Sequence, residues 1–353
     1  MKKKPVILKI RGRDLDKQRI RKAVNACKEN KVIAFPTETG YRVGGRMSAP
    51  GIEKRLREIT GHLGTEPFTY YVSDWWMLDA LKVSKAPLVR LRVRQFWPGS
   101  AALVVPDLTG RKIRIRFPSN KVALALIRET GEPLIAAGAS RSGRLSPHTG
   151  RQALENFCGD FDCLIDGGKT EFSLDSTVVD LTGGVPGILR KGAQSPEVEK
   201  TVERIRSGKC PRRRILIVCT GNACRSPMAE GWLKREIEEK GLSEEIEVFS
   251  CGIRARDGVP CTLGTEIVMR HRKIDLPKFR SRLCRQGDLW SSDLIIAMAP
   301  QHALEIAKIL PSVKERTITL NVDDPIGKGL DVYEKTFRDI EIQLERHRPK
   351  IFQ

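Results

Sequence analysis

Short apolar runs and longer amphipathic stretches alternate along the chain. A short apolar run between polar residues is typical of a buried strand, whereas apolar residues that recur every three or four positions are typical of a helix. The run at 215–218, in which three of the four residues are β-branched, predicts a buried strand. Residues 331–347 predict a long helix because Phe337, Ile340 and Leu344 fall on one face. This alternation predicts a protein of the α/β class.

The two halves of the chain predict two different sheets. In the second half, predicted strands at 215–218, 246–250, 294–298 and 317–320 alternate with predicted helices at 227–240, 263–272, 301–310 and 331–347. Such regular alternation favours a doubly wound parallel sheet. In the first half, helices predicted at 14–30, 122–130 and 150–157 separate strands such as 31–36, which predicts a twisted α/β sheet.

The length and the composition of one short stretch predict the domain boundaries. A chain of 353 residues is long enough for about two domains. Residues 207–214 contain Ser, Gly and Pro together with four basic residues, which is typical of an exposed linker. We therefore predict a first domain over 1–206, a basic linker over 207–214 and a second domain over 215–353.

The charge of the chain bears on its partners. The formal net charge is +20 and the isoelectric point is near 9.8, which favours an anionic partner such as RNA. A general basic bias of the proteome would give the same value, so both interpretations stay open at this point. The chain has no long apolar run that could span a membrane, and no membrane partner is expected.

The N-terminus and the cysteines predict the compartment. The basic start at 1–4 resembles the beginning of a signal peptide, but Lys9 and Arg11 interrupt the apolar residues that follow. The nine cysteines are irregularly spaced and form no C-x-x-C pair, which argues against a disulfide framework or a zinc site. We therefore predict a cytoplasmic protein with reduced thiols and no metal.

A cysteine and an arginine flank the loop that follows the strand at 215–218. Cys219 ends the predicted strand, Arg225 follows six residues later, and Pro227 suits the first turn of a helix. A loop that leads into a helix N-terminus directs backbone N–H groups at one point and favours an anion there. The guanidinium of Arg225 matches a phosphate group, and the same surroundings favour a thiolate at Cys219. The alternative, a buried cysteine near a surface arginine, would not require strand, loop, proline and helix in this register.

This motif resembles that of the low-molecular-weight protein tyrosine phosphatases. The resemblance implies that Cys219 is the nucleophile, that Arg225 binds the phosphoryl group, and that Asp324, in an Asp-Pro pair near the end of the chain, is the general acid. Asp323 is adjacent, and both aspartates could instead be turn formers. The loop residues implied in phosphate binding are Thr220, Gly221, Asn222, Ala223, Cys224 and Ser226.

The phosphatase resemblance also implies a mechanism and leaves the substrate open. Ser226 would donate a hydrogen bond to the Cys219 thiolate, and Asn222 would brace the loop. No cofactor and no metal would be needed. The expected partner is a phosphorylated protein, but Ala223 matches neither the tyrosine-directed nor the arginine-directed members. Phosphotyrosine, phosphoarginine and a small-molecule or RNA-linked phosphate therefore all remain open.

Several motifs of the first half resemble the YrdC family of threonylcarbamoyl-AMP synthases. They include the hydroxyl-rich loop at 37–44 and the segments at 96–99, 113–118, 175–180 and 189–192, and the resemblance covers 14–192. It implies ATP with Mg²⁺, threonine and bicarbonate as reactants, and a role in the t6A modification of tRNA. The residues implied in nucleotide or threonine binding are Thr37, Thr39, Arg116, Ser176, Thr177 and Arg190.

The first half departs from the synthase pattern at its charged positions. Thr60 and His62 stand where the family has a Lys-x-Arg pair, and Ser140 stands where the family has an asparagine. The loss of two cations matters at a triphosphate, since electrostatic stabilisation is usually the largest catalytic term. Our main hypothesis is therefore a cysteine-dependent phosphatase fused to a YrdC-like domain that binds nucleotide or RNA. The alternatives are a bifunctional enzyme that also makes threonylcarbamoyl-AMP, and a binding protein in which both sites have decayed.

Overall fold

The computed structural model describes residues 4–10, 15–61, 67–138, 146–156, 160–208, 213–276 and 279–352. The chain forms two compact units. The first comprises Met1–Lys85 and Arg92–Ser207, and the second comprises Ala86–Leu91 and Gly208–Gln353. The division falls within the segment 207–214, and the short stretch Ala86–Leu91, which the sequence placed in the first domain, groups with the second unit.

The first half of the chain contributes strands to one large sheet. Within the described ranges this sheet has ten strands, which are β1 (Val6–Lys9), β2 (Ile33–Pro36), β3 (Tyr41–Arg46), β4 (Thr69–Tyr71), β5 (Ala102–Pro106), β6 (Lys112–Arg116), β7 (Leu134–Gly138), β8 (Cys163–Asp166), β9 (Val178–Asp180) and β10 (Gly187–Arg190). They lie in the order β1-β8-β2-β3-β7-β4-β6-β5-β9-β10, with parallel and antiparallel pairs mixed.

The described residues of the first half of the chain also form seven helices. They are α1 (Lys17–Lys28), α2 (Ile52–Thr60), α3 (Trp76–Ala80), α4 (Pro87–Arg94), α5 (Lys121–Thr130), α6 (Gly150–Asn156) and α7 (Ser195–Arg206). Helix α1 buries Ile20, Ala23, Val24 and Cys27, the apolar face that its sequence pattern predicted. The prediction of an α/β first domain is confirmed, and the structure adds that parallel and antiparallel strand pairs are mixed in its sheet.

The second unit is built on a parallel sheet of four strands. The strands are β11 (Arg213–Cys219), β12 (Ile246–Gly252), β13 (Leu294–Ala297) and β14 (Thr317–Thr319), in the order β12-β11-β13-β14. All three pairings are parallel. The remaining elements are α8 (Arg225–Glu239), α9 (Leu263–His271), α10 (Gln286–Trp290), α11 (Pro300–Ile309), a 3-10 helix (Pro311–Arg316), α12 (Leu330–Arg346) and α13 (Arg348–Phe352). The predicted parallel sheet is therefore confirmed.

The core of the second unit fixes the end of β11. Ile215 and Ile217 are completely buried and pack with Trp232 of α8 and Phe337 of α12. Since side chains alternate along a strand, Cys219 continues the face of Ile215 and Ile217 and belongs to the same buried cluster. The apolar pattern thus places Cys219 at the carboxyl end of a central strand, where ligands bind in sheets of this kind.

Hydropathy in the described part of the chain gives one further result. Among those residues, no helix combines the length and the apolar character that crossing a membrane requires.

Candidate active site

The loop between β11 and α8 wraps closely around the end of its own strand. Asn222 adopts a left-handed conformation, with φ of 54°. The carbonyl oxygens of Cys219 and Thr220 accept hydrogen bonds from the N–H groups of Ile253 (3.0 Å) and Arg254 (2.9 Å), just beyond β12. A Cβ atom on Gly252 would lie 2.5 Å from the Thr220 oxygen. The close approach of these two segments therefore requires glycine at this position.

Two hydrogen-bond donors approach the sulfur of Cys219. The residue is buried, with 3% of its surface exposed. The Ser226 hydroxyl oxygen lies 2.9 Å from Sγ, and the backbone N–H of Asn222 donates to Sγ over 3.2 Å. A sulfur that receives two donors at the start of a helix is well placed to carry negative charge, which a thiolate nucleophile requires.

A chain of polar side chains behind the loop fixes the direction of these bonds. Asn222 Nδ2 donates to Ser226 Oγ (2.9 Å) and to Ser250 Oγ (2.7 Å), while its Oδ1 accepts from the N–H of Arg282 (2.9 Å). Ser250 in turn donates to a Glu230 carboxylate oxygen over 2.6 Å. Because Ser226 Oγ already accepts from Asn222, its own proton remains for Cys219. The chain therefore makes Ser226 a donor to the sulfur.

Arg225 is buried and lies beside the carboxylate of Asp324. Its Nη1 donates to the Val322 carbonyl over 3.1 Å, and its Nη2 forms an ion pair with Asp324. The Asp324 side chain is 39% exposed, so solvent and substrate can reach it. Asp323 is exposed at the surface. Of the two adjacent aspartates that the sequence offered, Asp324 thus lies beside the arginine.

Cys224 lies inside the loop in an environment different from that of Cys219. Its sulfur is 3.4 Å from Thr262 Oγ1 and 3.6 Å from the Tyr333 hydroxyl. Burial raises the pKa of the Cys224 thiol above its ordinary value, although these hydroxyl contacts act in the opposite direction. The carbonyl of Ala223 accepts from the N–H of Thr262 over 3.0 Å. These contacts anchor the outer half of the loop to the start of α9 and to α12.

Several residues of the site were not found from the sequence. Ser250 and Glu230 complete the chain behind Asn222, and His302 of α11 approaches Thr220, with 2.9 Å between Nε2 and Oγ1. His302 is completely buried. Burial and the nearby Arg225 lower the pKa of His302 to about 4. Isolated histidines and serines on amphipathic elements carry no motif, so only the tertiary fold could have revealed these contacts.

The first unit contains a small polar cavity on its sheet. Its volume is about 80 Å³, and Arg42, Arg114, Ser176 and Arg190 line it together with apolar neighbours. Arg42 is buried and forms an ion pair with Asp175 over 3.1 Å. Burial raises the pKa of the Asp175 carboxyl, but Arg42 and the Ser146 hydroxyl more than offset this and hold it below its ordinary value. The ion pair of Arg42 and Asp175 thus borders the cavity.

Only some of the residues predicted to bind nucleotide or threonine line this cavity. Ser176 and Arg190 line it. Arg116 is completely buried and pairs with Glu38 over 2.6 Å, and its Nη1 donates to Thr39 Oγ1 over 2.7 Å. The remaining hydroxyls bond to backbone oxygens, that of Thr37 to Gly40 (2.7 Å) and that of Thr177 to Ala193 (2.9 Å).

Of the three positions that depart from the synthase pattern, Thr60 lies within the described residues. Thr60 is completely buried at the end of α2, and its hydroxyl donates to the Leu56 carbonyl over 2.7 Å. Its side chain therefore supports the helix and offers no charge. His62 and Ser140, and the segment 209–212 of the predicted linker, lie outside the described residues. Within the described ranges, no group of three or more His, Cys, Asp or Glu side chains could hold a metal ion.

The fold and site of the second unit define a class of protein. A strand that ends in cysteine, a tight loop and a helix that begins with a buried arginine are the parts of a cysteine-dependent hydrolase. The chain belongs to the low molecular weight phosphotyrosine protein phosphatase family, whose model matches residues 214–351, and to the Sua5/YciO/YrdC family, described as "Telomere recombination", whose model matches residues 25–192. Both resemblances read from the sequence are therefore confirmed.

Individual relatives match each half. The first half is 33% identical over 211 residues to a threonylcarbamoyl-AMP synthase of Pyrococcus abyssi, covering 57% of this chain and 62% of that protein. It is 30% identical to a putative threonylcarbamoyl-AMP synthase of Mycobacterium tuberculosis, covering 50% of this chain and 84% of that protein. The second half is 31% identical to a protein-arginine-phosphatase of Geobacillus stearothermophilus, covering 39% of this chain and 95% of that protein.

A solved structure gives a further comparison of folds. The crystal structure of P. abyssi Sua5 in complex with L-threonine aligns with a TM-score of 0.52 and 23% identity, covering 90% of this chain and all of that one. At this identity the likeness concerns the fold. The chain spans 62% of the length of the P. abyssi synthase found by sequence.

Proposed function

We propose that the second unit hydrolyses phosphate bound to a protein side chain through a covalent phosphocysteine intermediate. One observation carries this proposal, the approach of two donors to the Cys219 sulfur beside the ion pair of Arg225 and Asp324. These groups supply what transfer of a phosphoryl group to sulfur requires, namely a nucleophile, a cation for the oxygens and an acid for the leaving group.

In the first step, the Cys219 thiolate attacks phosphorus. The S–P bond forms while the bond from phosphorus to the leaving oxygen or nitrogen breaks. Arg225 and the backbone N–H groups of the loop bind the nonbridging oxygens, which move to sulfur together with phosphorus. The phosphoryl group replaces Asp324 at the guanidinium, and the released carboxylate takes up a proton from the incoming phosphate monoanion and passes it to the leaving group.

In the second step, water hydrolyses the phosphocysteine. Asp324, now ionised, takes a proton from the attacking water while the S–P bond breaks. Cys219 leaves as a thiolate, and the Ser226 hydroxyl and the Asn222 N–H stabilise its charge as it forms. The overall reaction consumes one water and releases inorganic phosphate. The proton that Asp324 took from water leaves with that phosphate, which restores the ion pair with Arg225 and the Cys219 thiolate.

The substrate we propose is a phosphorylated protein, with phosphoarginine as the first candidate. The relative from Geobacillus stearothermophilus is a protein-arginine-phosphatase, which supports this choice. The segment after Asp324 also supports it, because Ile326 is its exposed apolar side chain and no aromatic residue follows before α12. A phenyl ring would favour an aromatic partner at that place. Phosphotyrosine and phosphoarginine peptides of one sequence, assayed side by side, would decide between the two.

The direct test is hydrolysis of para-nitrophenyl phosphate with the full chain and reduced thiols. We expect activity in the wild type and its loss in Cys219→Ser. Cys261→Ser is the matched control, since it removes a partly exposed thiol of the same unit, and we expect it to retain activity. Equal activity of the wild type and Cys219→Ser would overturn the proposal.

We propose that the first unit is a YrdC-like module that binds nucleotide or RNA and has lost synthase activity. Three observations support the loss, namely the buried Thr60 in place of a cation, the internal pairing of Arg116 with Glu38, and the small cavity. Ligand pockets usually measure roughly 300–1,000 Å³, so a cavity of about 80 Å³ among the described residues favours weaker binding of ATP than in an active synthase.

The test of the first unit is release of pyrophosphate from ATP in the presence of threonine and bicarbonate. We expect none above background, and clear release would establish the alternative, a bifunctional enzyme. Binding of tRNA at several salt concentrations would test the RNA proposal, since affinity should fall as salt rises if the net charge of +20 drives it. The cytoplasmic location stays a prediction from the sequence.

A further inference from the structure

His302 is a buried titratable residue with no role in the two-step mechanism. It belongs to α11, which follows β13 and is remote in sequence from the loop. No part of its side chain is exposed. Nε2 lies 2.9 Å from Oγ1 of Thr220, the residue that follows Cys219. The other ring nitrogen, Nδ1, is buried and has no hydrogen-bond partner among the described residues.

The unpartnered Nδ1 indicates which nitrogen carries the proton. His302 is neutral at ordinary pH, since burial and Arg225 lower its pKa to about 4. A neutral imidazole has one N–H and one acceptor nitrogen. A proton on Nδ1 would leave a buried N–H without an acceptor, and such groups are rarer than unfilled acceptors. The arrangement therefore favours the Nε2–H form, in which His302 donates to Thr220.

Thr220 Oγ1 then receives two donors. His302 Nε2 approaches to 2.9 Å and Arg225 Nη2 to 3.4 Å. A hydroxyl oxygen accepts two hydrogen bonds and donates one. With both acceptor positions filled, the Thr220 proton must point in a third direction. Both donors are buried, whereas Thr220 is only partly buried, so the third direction leads toward the open side of the loop.

We propose that the Thr220 hydroxyl is a catalytic group that donates its proton to an oxygen of the bound phosphoryl group, and that His302 is the positioning residue that directs it. This proposal rests on the proposed function, because it requires a phosphoryl group at Arg225. It adds a side-chain donor to the backbone donors of the loop. The donor is set before substrate arrives, as electrostatic stabilisation of a transition state requires.

The tautomer of His302 gives the first test. We would label the histidine rings with ¹⁵N and record their long-range proton–nitrogen correlations in the wild-type chain, which has five histidines. His302→Gln would assign the signal. We expect the Nε2–H form. The Nδ1–H form would overturn the proposal, since the Thr220 proton would then point at His302. This test needs no activity, and it uses the His302→Gln variant only for assignment.

Kinetics give the second test. Thr220→Val keeps the shape of the side chain and removes the hydroxyl, and we expect it to lower kcat/KM roughly 10- to 100-fold, as for loss of a hydrogen bond to a charged group. His302→Leu should lower it in the same direction, and Thr220→Val with His302→Leu should be no worse than Thr220→Val alone. His302→Gln should recover part of the loss, because its amide can donate from a similar place. A purely structural role would give multiplied losses and no recovery.

Controls separate this inference from the proposed function. Gln301→Ala changes an exposed residue beside His302 on α11 and should leave kcat/KM unchanged. If Cys219→Ser is as active as the wild type, the proposed function fails. If activity depends on Cys219 but Thr220→Val is within twofold of the wild type, this inference alone fails. If the wild type is inactive, calorimetry would measure the binding of inorganic phosphate instead. Equal affinity of the wild type and Thr220→Val for phosphate would then overturn the inference.

Discussion

The Ser226 hydroxyl lies 2.9 Å from the Cys219 sulfur, and the Asn222 amide determines that the hydroxyl proton points at the sulfur. A serine in this place can stabilise the thiolate both before attack and when it leaves in the second step. The bond accelerates the step in which negative charge develops on sulfur, which is the breaking of the phosphocysteine.

We therefore predict that Ser226→Ala slows the second step more than the first. Loss of a hydrogen bond to a charged group should lower kcat roughly 10- to 100-fold. Rapid mixing with para-nitrophenyl phosphate should show a burst of nitrophenol in the variant as phosphoenzyme accumulates. Ser243→Ala, at an exposed position, is the control. A loss of kcat without any burst would contradict this role for Ser226.

The two adjacent aspartates offer a matched pair of variants. We predict that Asp324→Asn lowers kcat and that Asp323→Asn does not, because only Asp324 lies beside Arg225. Since a general acid is needed most for a poor leaving group, the loss in Asp324→Asn should be larger with phenyl phosphate than with para-nitrophenyl phosphate. Equal losses with both substrates would speak against an acid role and for one in positioning Arg225.

Gly252 tests whether the close approach of the loop is necessary. In Gly252→Ala the new Cβ would lie 2.5 Å from the Thr220 oxygen and 2.8 Å from the Asn222 nitrogen, both backbone atoms. We predict destabilisation of about 1–3 kcal/mol, typical of overpacking, together with a loss of activity. Urea unfolding and the para-nitrophenyl phosphate assay would measure both. Gly187→Ala, where a Cβ meets nothing within 4 Å, should change neither.

Arg42 tests why the cavity of the first unit is small. The Arg42 guanidinium borders the cavity and pairs with Asp175 over 3.1 Å. We predict that Arg42→Gly enlarges the cavity and strengthens binding of ATP, measured by calorimetry. Arg46→Gly on the same strand, a partly exposed residue that pairs with Glu132, is the control. Unchanged affinity for ATP in Arg42→Gly would contradict this explanation.

The lowered pKa of His302 predicts a dependence of stability on pH. The pKa of His302 is about 4 in the folded chain and near 6.5 in the unfolded chain. Between pH 4 and pH 6.5 the unfolded state therefore binds a proton that the folded state does not bind. The free energy of unfolding of the second unit should therefore fall as the pH falls through this window, by up to about 3 kcal/mol. Below about pH 4 this contribution should change no further.

Hydrogen exchange of β11 and β13 at several pH values would measure this dependence in the second unit. His302→Gln removes the titrating group, so its stability should vary less between pH 6.5 and 4 than that of the wild type. The charges that act on the ring, Arg225 and Asp324, are unchanged in this variant. Identical pH profiles for the two chains would show that His302 is not the group responsible.

The sequence predicted those parts of the molecule that follow from local patterns. The buried strand before Cys219, the helix that begins near Pro227 and the long helix at 331–347 each carry their own periodicity, and the structure places β11, α8 and α12 there. The phosphate-binding role of the loop could be predicted because its functional residues lie within eight consecutive positions, from Cys219 to Ser226.

The remaining contacts depend on how distant segments meet. Ser250 approaches Asn222 because β12 pairs with β11, and His302 approaches Thr220 because α11 follows a neighbouring strand. In the first unit, the sequence predicted a ligand role for Arg116, and the structure pairs this residue with Glu38 inside the core. The choice between a buried ion pair and a ligand contact depends on the tertiary surroundings, which a single sequence does not contain.

The covalent intermediate tests the central claim most directly. We would mix the full chain with para-nitrophenyl phosphate, stop the reaction in acid within milliseconds, and locate the phosphoryl group by mass spectrometry of the peptides. We expect a single phosphoryl group on Cys219 and an increased amount of it in Ser226→Ala. A phosphoryl group on any other residue, or full turnover without phosphorylation of Cys219, would contradict it.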